Sequence, residues 1–324
     1  MSTTTLTQDL DARPSLLGRT AAPRTSLARV VRSEWIKLRS LRSTWVMLAA
    51  LFASIVAFGI IASAVASGSV TTPGGAPAFS GASPVDTVLS GANFGILIVA
   101  VMGVLVGARE YSSGLIRTSI AAVPRRWPIL VGKLVTFLAV LVPTVVVSVL
   151  ISFFVGTAIL TSAGVASVTW SSAGVAGAVL GTIGYLAGIG VIGLCLGALL
   201  RGVGAGLGVL IGGILFLPTL ASALLPDSWD SVLKYLPSNA GMSFTSVESV
   251  DSMLSYGAGL AVFIAWVALA VGGAWVALMK RDAWRLTVLA QQSVATRPCG
   301  ASAFSTGSCT WSRAARRLGW LEQG

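Results

Sequence analysis

The sequence predicts an all-α integral membrane protein. It should have six transmembrane helices, an N-terminal amphipathic helix at the membrane interface, and both termini in the cytoplasm. Three observations predict this. The 324 residues are 55% hydrophobic and only 10% charged, with a mean hydropathy of +0.86, where globular domains carry about 25% charged residues. No Asp, Glu, Lys or Arg occurs from Ser43 to Val85, Leu134 to Leu200, Gly202 to Pro226 or Ser252 to Met279. Basic residues crowd into alternate gaps between the apolar stretches. A charge at the centre of a bilayer costs roughly 2.5–3.5 kcal/mol on insertion scales, so a membrane sorts charge in this way. Backbone groups in lipid must be satisfied internally, and the alternation that a barrel needs is absent, so the spans are expected to be helices.

Residues 1–25 are polar and are expected to be disordered. From Ser26 to Trp45, Leu27, Val31, Leu38, Leu41 and Trp45 recur at helical spacings, with Arg29, Arg32, Lys37, Arg39 and Arg42 between them. Ser26 is a plausible N-cap. This pattern predicts a helix lying in the membrane interface over 26–44, with Trp35 and Trp45 at headgroup depth. The competing reading is a positive flank on the first span.

Spans are predicted at about 45–66, 88–108, 134–160, 174–200, 204–225 and 257–279. The first and third are rich in Leu, Val, Ile and Phe, and Pro143 should kink the third. The fourth and fifth carry glycines four apart, Gly177/Gly181, Gly184/Gly188, Gly193/Gly197 and Gly204/Gly208/Gly212. Such spacing lets helix backbones approach closely. It fits either tight packing within the chain or a surface that slides or lines a pathway. Residues 282–324 form a Ser-, Ala-, Arg- and Gly-rich tail that is expected to be disordered.

Between the spans, every Lys and Arg except Lys234 falls on one side. The other side carries Asp86, Asp227, Asp230, Glu248 and Asp251. The basic side is the cytoplasm by the positive-inside rule. The net charge of +11 is thereby explained by topology, and no nucleic-acid partner is expected.

The longest basic connection is Ala108 to Lys133. It holds Arg109 and Glu110 at the end of the second span, Gly114 at the helix exit, and Pro124-Arg125-Arg126 before the third span. Its arginines fit a docking loop for another protein or a connector that only fixes topology. Charge alone does not separate the two.

Read together, SEWIKLRSLRSTW and GAREYSSGLIRTSIAAVPRRWPILVGK resemble the permease subunits of ATP-binding-cassette transporters of the type-2 exporter class. The resemblance rests on the basic elbow helix (Glu34, Trp35, Lys37, Leu38, Arg39), the glutamate-tyrosine-x-x-glycine segment (Glu110, Tyr111, Gly114), Arg117-Thr118, and Pro124-Arg125-Arg126. LKYLPSNAG at Leu233–Gly241 resembles the last external loop of that class. The likeness covers 26–281 and leaves the tail unaccounted for. It implies a permease that forms its pathway as a homo- or heterodimer in the cell membrane. The elbow helix and a coupling helix near Ser112 to Ala122 would contact a separate ATPase subunit. ATP and Mg would belong to that partner and not to this chain.

The chain has no G-x-x-x-x-G-K-[ST] sequence, so no ATP site of that kind is expected. It has no histidine, so histidine-dependent triads and metal sites are excluded. Cys195 lies within a span, and Cys299 and Cys309 have no partner at metal-ligand spacing. No enzymatic activity or metal is expected. An ion-coupled secondary transporter needs ionisable groups or broken helices at mid-membrane, and no predicted span interior contains such a group. The ion-coupled secondary transporter stays as the runner-up reading, with a non-transporting membrane scaffold as a further alternative. Tyr185, Asn93 and Ser148 are candidate pathway-lining positions.

Overall fold

A computed structural model describes residues 27–70, 83–112, 127–165, 168–247 and 253–280. Every regular element among them is helical. The expected disorder of 1–25 and 282–324 concerns residues outside this set. The compact unit runs to Leu278, and of the residues beyond it only Met279 and Lys280 are described.

The chain opens with α1 (Leu27–Ser40), which a single extended residue, Leu41, separates from α2 (Arg42–Ala66). Then come α3 (Pro84–Leu89), α4 (Gly91–Ser112), α5 (Trp127–Ser162) and α6 (Val175–Leu200). Next, α7 (Val203–Ile211), a π-helical turn (Gly212–Phe216) and α8 (Leu217–Leu224) run on as one rod. Short α9 (Asp230–Leu233) and α10 (Pro237–Thr245) precede the last helix, α11 (Tyr256–Lys280). Six helical segments are long and apolar enough to cross a membrane: Arg42–Ala66, Pro84–Arg109, Pro128–Ser162, Val175–Leu200, Val203–Leu224 and Tyr256–Met279.

Three segments depart from the expected spans. The second span is two helices, α3 and α4, that meet at Ser90. The Ser152 hydroxyl of α5 donates to the Val88 carbonyl beside that break at 2.9 Å, so a carbonyl near the end of α3 keeps a partner in a buried setting. The third span is longer than expected, at 36 residues. At 1.5 Å per residue it measures roughly 54 Å, well beyond the ~30 Å hydrocarbon layer. It is helical straight through Pro143. The fifth span contains the π turn just before Pro218, where the Leu217 N–H donates to the Gly212 carbonyl. Proline has no N–H to continue an α ladder, so a local change of hydrogen-bond register is the physical outcome.

The centre of the bundle is the pair α4 and α6. Gly103 faces the Gly190 carbonyl and Gly107 faces the Leu194 carbonyl, while Gly193 and Gly197 face the Ala100 and Val104 carbonyls. The paired numbers rise together, so the helices run parallel with backbones in contact, as small residues permit. The Gly188 face meets Phe263 of α11, and Gly181 meets the Phe244 carbonyl of α10. The glycines of α6 are thus largely packing positions. Those of the fifth span differ: a Cβ at Gly204, Gly208 or Gly212 would have open space around it. Between the two spans only Arg201 and Gly202 turn the chain, with Arg201 in the left-handed region at φ +55°.

Leu51, Ile55, Val88, Leu141, Phe153 and Leu194 anchor the core, all essentially sealed. Around it α2 packs on α5 and α4, and α1 packs on α5. The fifth span and α11 bury the least of the six.

Candidate functional site

One end of the bundle gathers the basic groups. There α1 lies against the start of α5, where Gly132 lets Val30 of α1 come close. The buried residues of α1 are Val30, Glu34 and Leu38. Of the apolar positions read from the sequence, Leu38 is buried against the bundle, Leu27 is exposed and Val31 is half-buried. Apolar periodicity passed over Glu34 because it is charged. Its carboxylate is tolerated because Lys37 Nζ donates to Oε1 at 2.6 Å. The pair is lopsided, with the Glu34 side chain 7% and the Lys37 side chain 48% exposed. Trp35, Ile36 and Arg39 are on the exposed side. The Trp45 indole N–H donates to the Arg39 carbonyl at 3.1 Å and so ties α1 to α2.

The long basic connection leaves from α4 and enters α5, and both ends are fastened. Arg109 donates through Nη2 to the Ser43 hydroxyl at 3.0 Å, across to the first turn of α2. Lys133, buried on α5, donates to the Val106 carbonyl of α4 at 3.4 Å. A lysine near a span end reaches a carbonyl in this way while its stem covers apolar surface. Glu110 and Tyr111 fall in the last turn of α4. Their side chains lie outside the described residues, as do Gly114, Arg117, Thr118, Pro124, Arg125 and Arg126.

The opposite end holds a cavity of about 450 Å³. It lies where α3, α4 and α6 meet the π turn and α10, and its lining includes Asp86, Ser90, Asn93, Tyr185, Ser238 and Met242. Two of the three positions that the sequence offered for a pathway, Tyr185 and Asn93, are on its wall. Ser148 is not, because it is fully buried on α5 and its hydroxyl returns to the Thr144 carbonyl at 2.6 Å.

Local sequence explains the cavity's parts. Ser83 caps α3 by accepting the Asp86 N–H at 3.1 Å, and Pro84 occupies the first helical position, where its missing N–H does no harm. Asp86 therefore sits in the first turn. Its Oδ2 accepts the Ser246 hydroxyl at 3.0 Å, which joins α3 to the end of α10. Pro237 starts α10 in the same manner. Beneath them Tyr185, Phe244 and Phe263 form an aromatic cluster with ring centroids 5.0 to 6.2 Å apart. The Gly241 backbone lies directly on the Tyr185 ring. Sequence reasoning missed this cavity. Serine-proline and leucine-proline helix starts at 83–84 and 236–237 were the available signal.

Among the described residues, no group of three or more His, Cys, Asp or Glu is placed to hold a metal ion. The buried charged residues there are Glu34 and Lys133, and neither lies at mid-span. A search of family models gives no match, and neither the curated proteins nor the solved structures give one.

Proposed function

We propose that this chain is the transmembrane permease subunit of an ATP-driven exporter of the type-2 ATP-binding-cassette class. Its basic end faces the cytoplasm, and both termini lie there. A separate subunit binds ATP and Mg and hydrolyses the nucleotide. The observation that carries this reading is the fastening of the basic end. Helix α1 is tied to α2 by Trp45–Arg39, the end of α4 to α2 by Arg109–Ser43, and the start of α5 to α4 by Lys133–Val106. A connector that only fixes topology needs charge and no such fastening. A docking platform needs it, because a pull applied there must reach the spans and not be lost in a loose loop.

In this reading Trp35 and Ile36 of α1 face the lipid interface while Val30, Glu34 and Leu38 grip α5. The 113–126 segment meets the ATPase, and Arg117, Arg125 and Arg126 pair with acidic groups on it. Closure of the ATPase pair around ATP displaces α1 and α5 together, and α2 and α4 follow through Trp45 and Arg109. The second permease chain contacts the fifth span, whose Gly204/Gly208/Gly212 stripe packs on nothing among the described residues.

The test is a photoreactive residue at Thr118. The proposal expects a covalent adduct with a nucleotide-binding protein, and none from the same residue placed at Ser162 at the other end of α5. Adducts at Thr118 confined to this chain or to lipid would argue for a non-transporting scaffold.

A further inference from the structure

The cavity between α3, α4, α6 and α10 has no part in the coupling account, and its chemistry is specific. Asp86 is the charged residue in its lining. Its carboxylate makes no ion pair among the described residues and accepts one hydroxyl, from Ser246. Two more lining side chains, Ser90 and Ser238, have hydroxyl oxygens that are buried and without a hydrogen-bond partner among the described residues. Asp86, which among the described residues accepts the Ser246 hydroxyl and makes no ion pair, keeps acceptor capacity for a ligand. The rest of the wall is mixed: Ile96, Ile214 and Met242 are apolar, and Asn93, Thr182 and Tyr185 are polar. The volume falls in the range of small-molecule sites, roughly 300–1,000 Å³.

We propose that this cavity binds an amphipathic organic cation: a protonated amine on an apolar body. The ammonium donates to Asp86, and the apolar body lies along Ile96, Ile214 and Met242. A divalent metal ion fits poorly, because it calls for several carboxylate or carbonyl oxygens at once. An anion is repelled by Asp86. An uncharged apolar ligand leaves the Asp86 carboxylate without a cation. The residues assigned to this end by sequence are predominantly acidic, Asp227, Asp230, Glu248 and Asp251 against Lys234, which raises the local concentration of cations. The inference stands on the cavity and does not depend on the ATPase partnership.

The experiment uses the full chain in lipid nanodiscs and dansylcadaverine, a primary amine on an aromatic body, with its N-acetylated, uncharged form as control. Saturable binding of the amine is expected, with affinity at least tenfold weaker for the acetylated form and for Asp86→Asn. Met242→Trp fills the mouth from a half-exposed position and is expected to abolish binding while leaving thermal unfolding unchanged. It keeps the test decisive if Asp86→Asn disturbs the fold. Equal binding of the two probes, equal binding by both variants and the parent chain, or non-saturable partition into the nanodisc overturns the proposal.

Discussion

Arg109 and Ser43 are 66 residues apart in sequence, yet the Arg109 guanidinium donates to the Ser43 hydroxyl at 3.0 Å. The bond joins the end of the second span to the first turn of the first. Whatever moves the connection after Arg109 also moves α2. A hydrogen bond to a charged group contributes about 1.5–3 kcal/mol, and an exposed one belongs at the low end. Under the proposed permease function, Arg109→Ala is therefore expected to reduce cargo-stimulated ATP hydrolysis by the complex about tenfold while the ATPase still binds. Ser43→Ala should act in the same direction and more weakly. Unchanged stimulation in both variants removes Arg109 from the coupling path.

The α4–α6 contact is the tightest helix pairing, and its glycines separate packing from propensity. A side chain at Gly107 would meet the Leu194 carbonyl, whereas one at Gly184 on α6 meets nothing within 4 Å. Overpacking costs about 1–3 kcal/mol, and a rigid backbone on the far side places Gly107 at the upper end. Gly107→Leu should lower the thermal midpoint in detergent by several degrees, and Gly184→Leu should leave it in place. Equal effects of the two would mean that the parallel α4–α6 contact is wrong.

Helix α1 buries a carboxylate whose partner is half in water. Removing Lys37 leaves Glu34 buried without its cation. Replacing Glu34 by leucine removes the charge and keeps the volume. Lys37→Ala should accordingly speed amide hydrogen exchange in residues 27–40 by roughly tenfold, since solvent screening of Lys37 limits the loss to about 1–2 kcal/mol. Glu34→Leu should slow exchange or leave it unchanged. The reverse order would show that Glu34 does not face α5.

Two buried serines of α5 make opposite forecasts. Ser152 crosses to the Val88 carbonyl, and Ser148 bonds back within its own helix. Interhelical hydrogen bonds in membranes average about 0.6 kcal/mol. Ser152→Ala should destabilise the chain by about that amount or somewhat more, because it also strips a partner from the α3–α4 break. Ser148→Ala should be close to neutral. Steric trapping or chemical unfolding in bicelles resolves the difference, and equal costs would show that Ser152 does not support the break.

Charge sorting made the six spans legible, because exclusion of charge from lipid acts on every residue of a span. Helices run on beyond the expected spans where a charge is accommodated by other means. The third span was expected to begin at 134, yet α5 begins at Trp127, because Lys133 finds the Val106 carbonyl and the helix continues past it. Breaks within spans were invisible, since Ser90-Gly91 and Gly212–Phe216 are as apolar or as small as their neighbours. The cavity was invisible because Asp86, Tyr185 and Ser238 come together only through packing of elements far apart in the chain. Residues 113–126, on which the resemblance to exporter permeases leans most, lie outside the described residues, so the sequence remains their sole witness.

The central claim is that the chain works with a separate ATPase, and purification of the tagged chain from native membranes in mild detergent tests it most directly. The account predicts stoichiometric recovery of a protein that carries G-x-x-x-x-G-K-[ST], with recovery lost when Arg125 and Arg126 are both changed to glutamate. Reproducible recovery of this chain without any nucleotide-binding protein would contradict it.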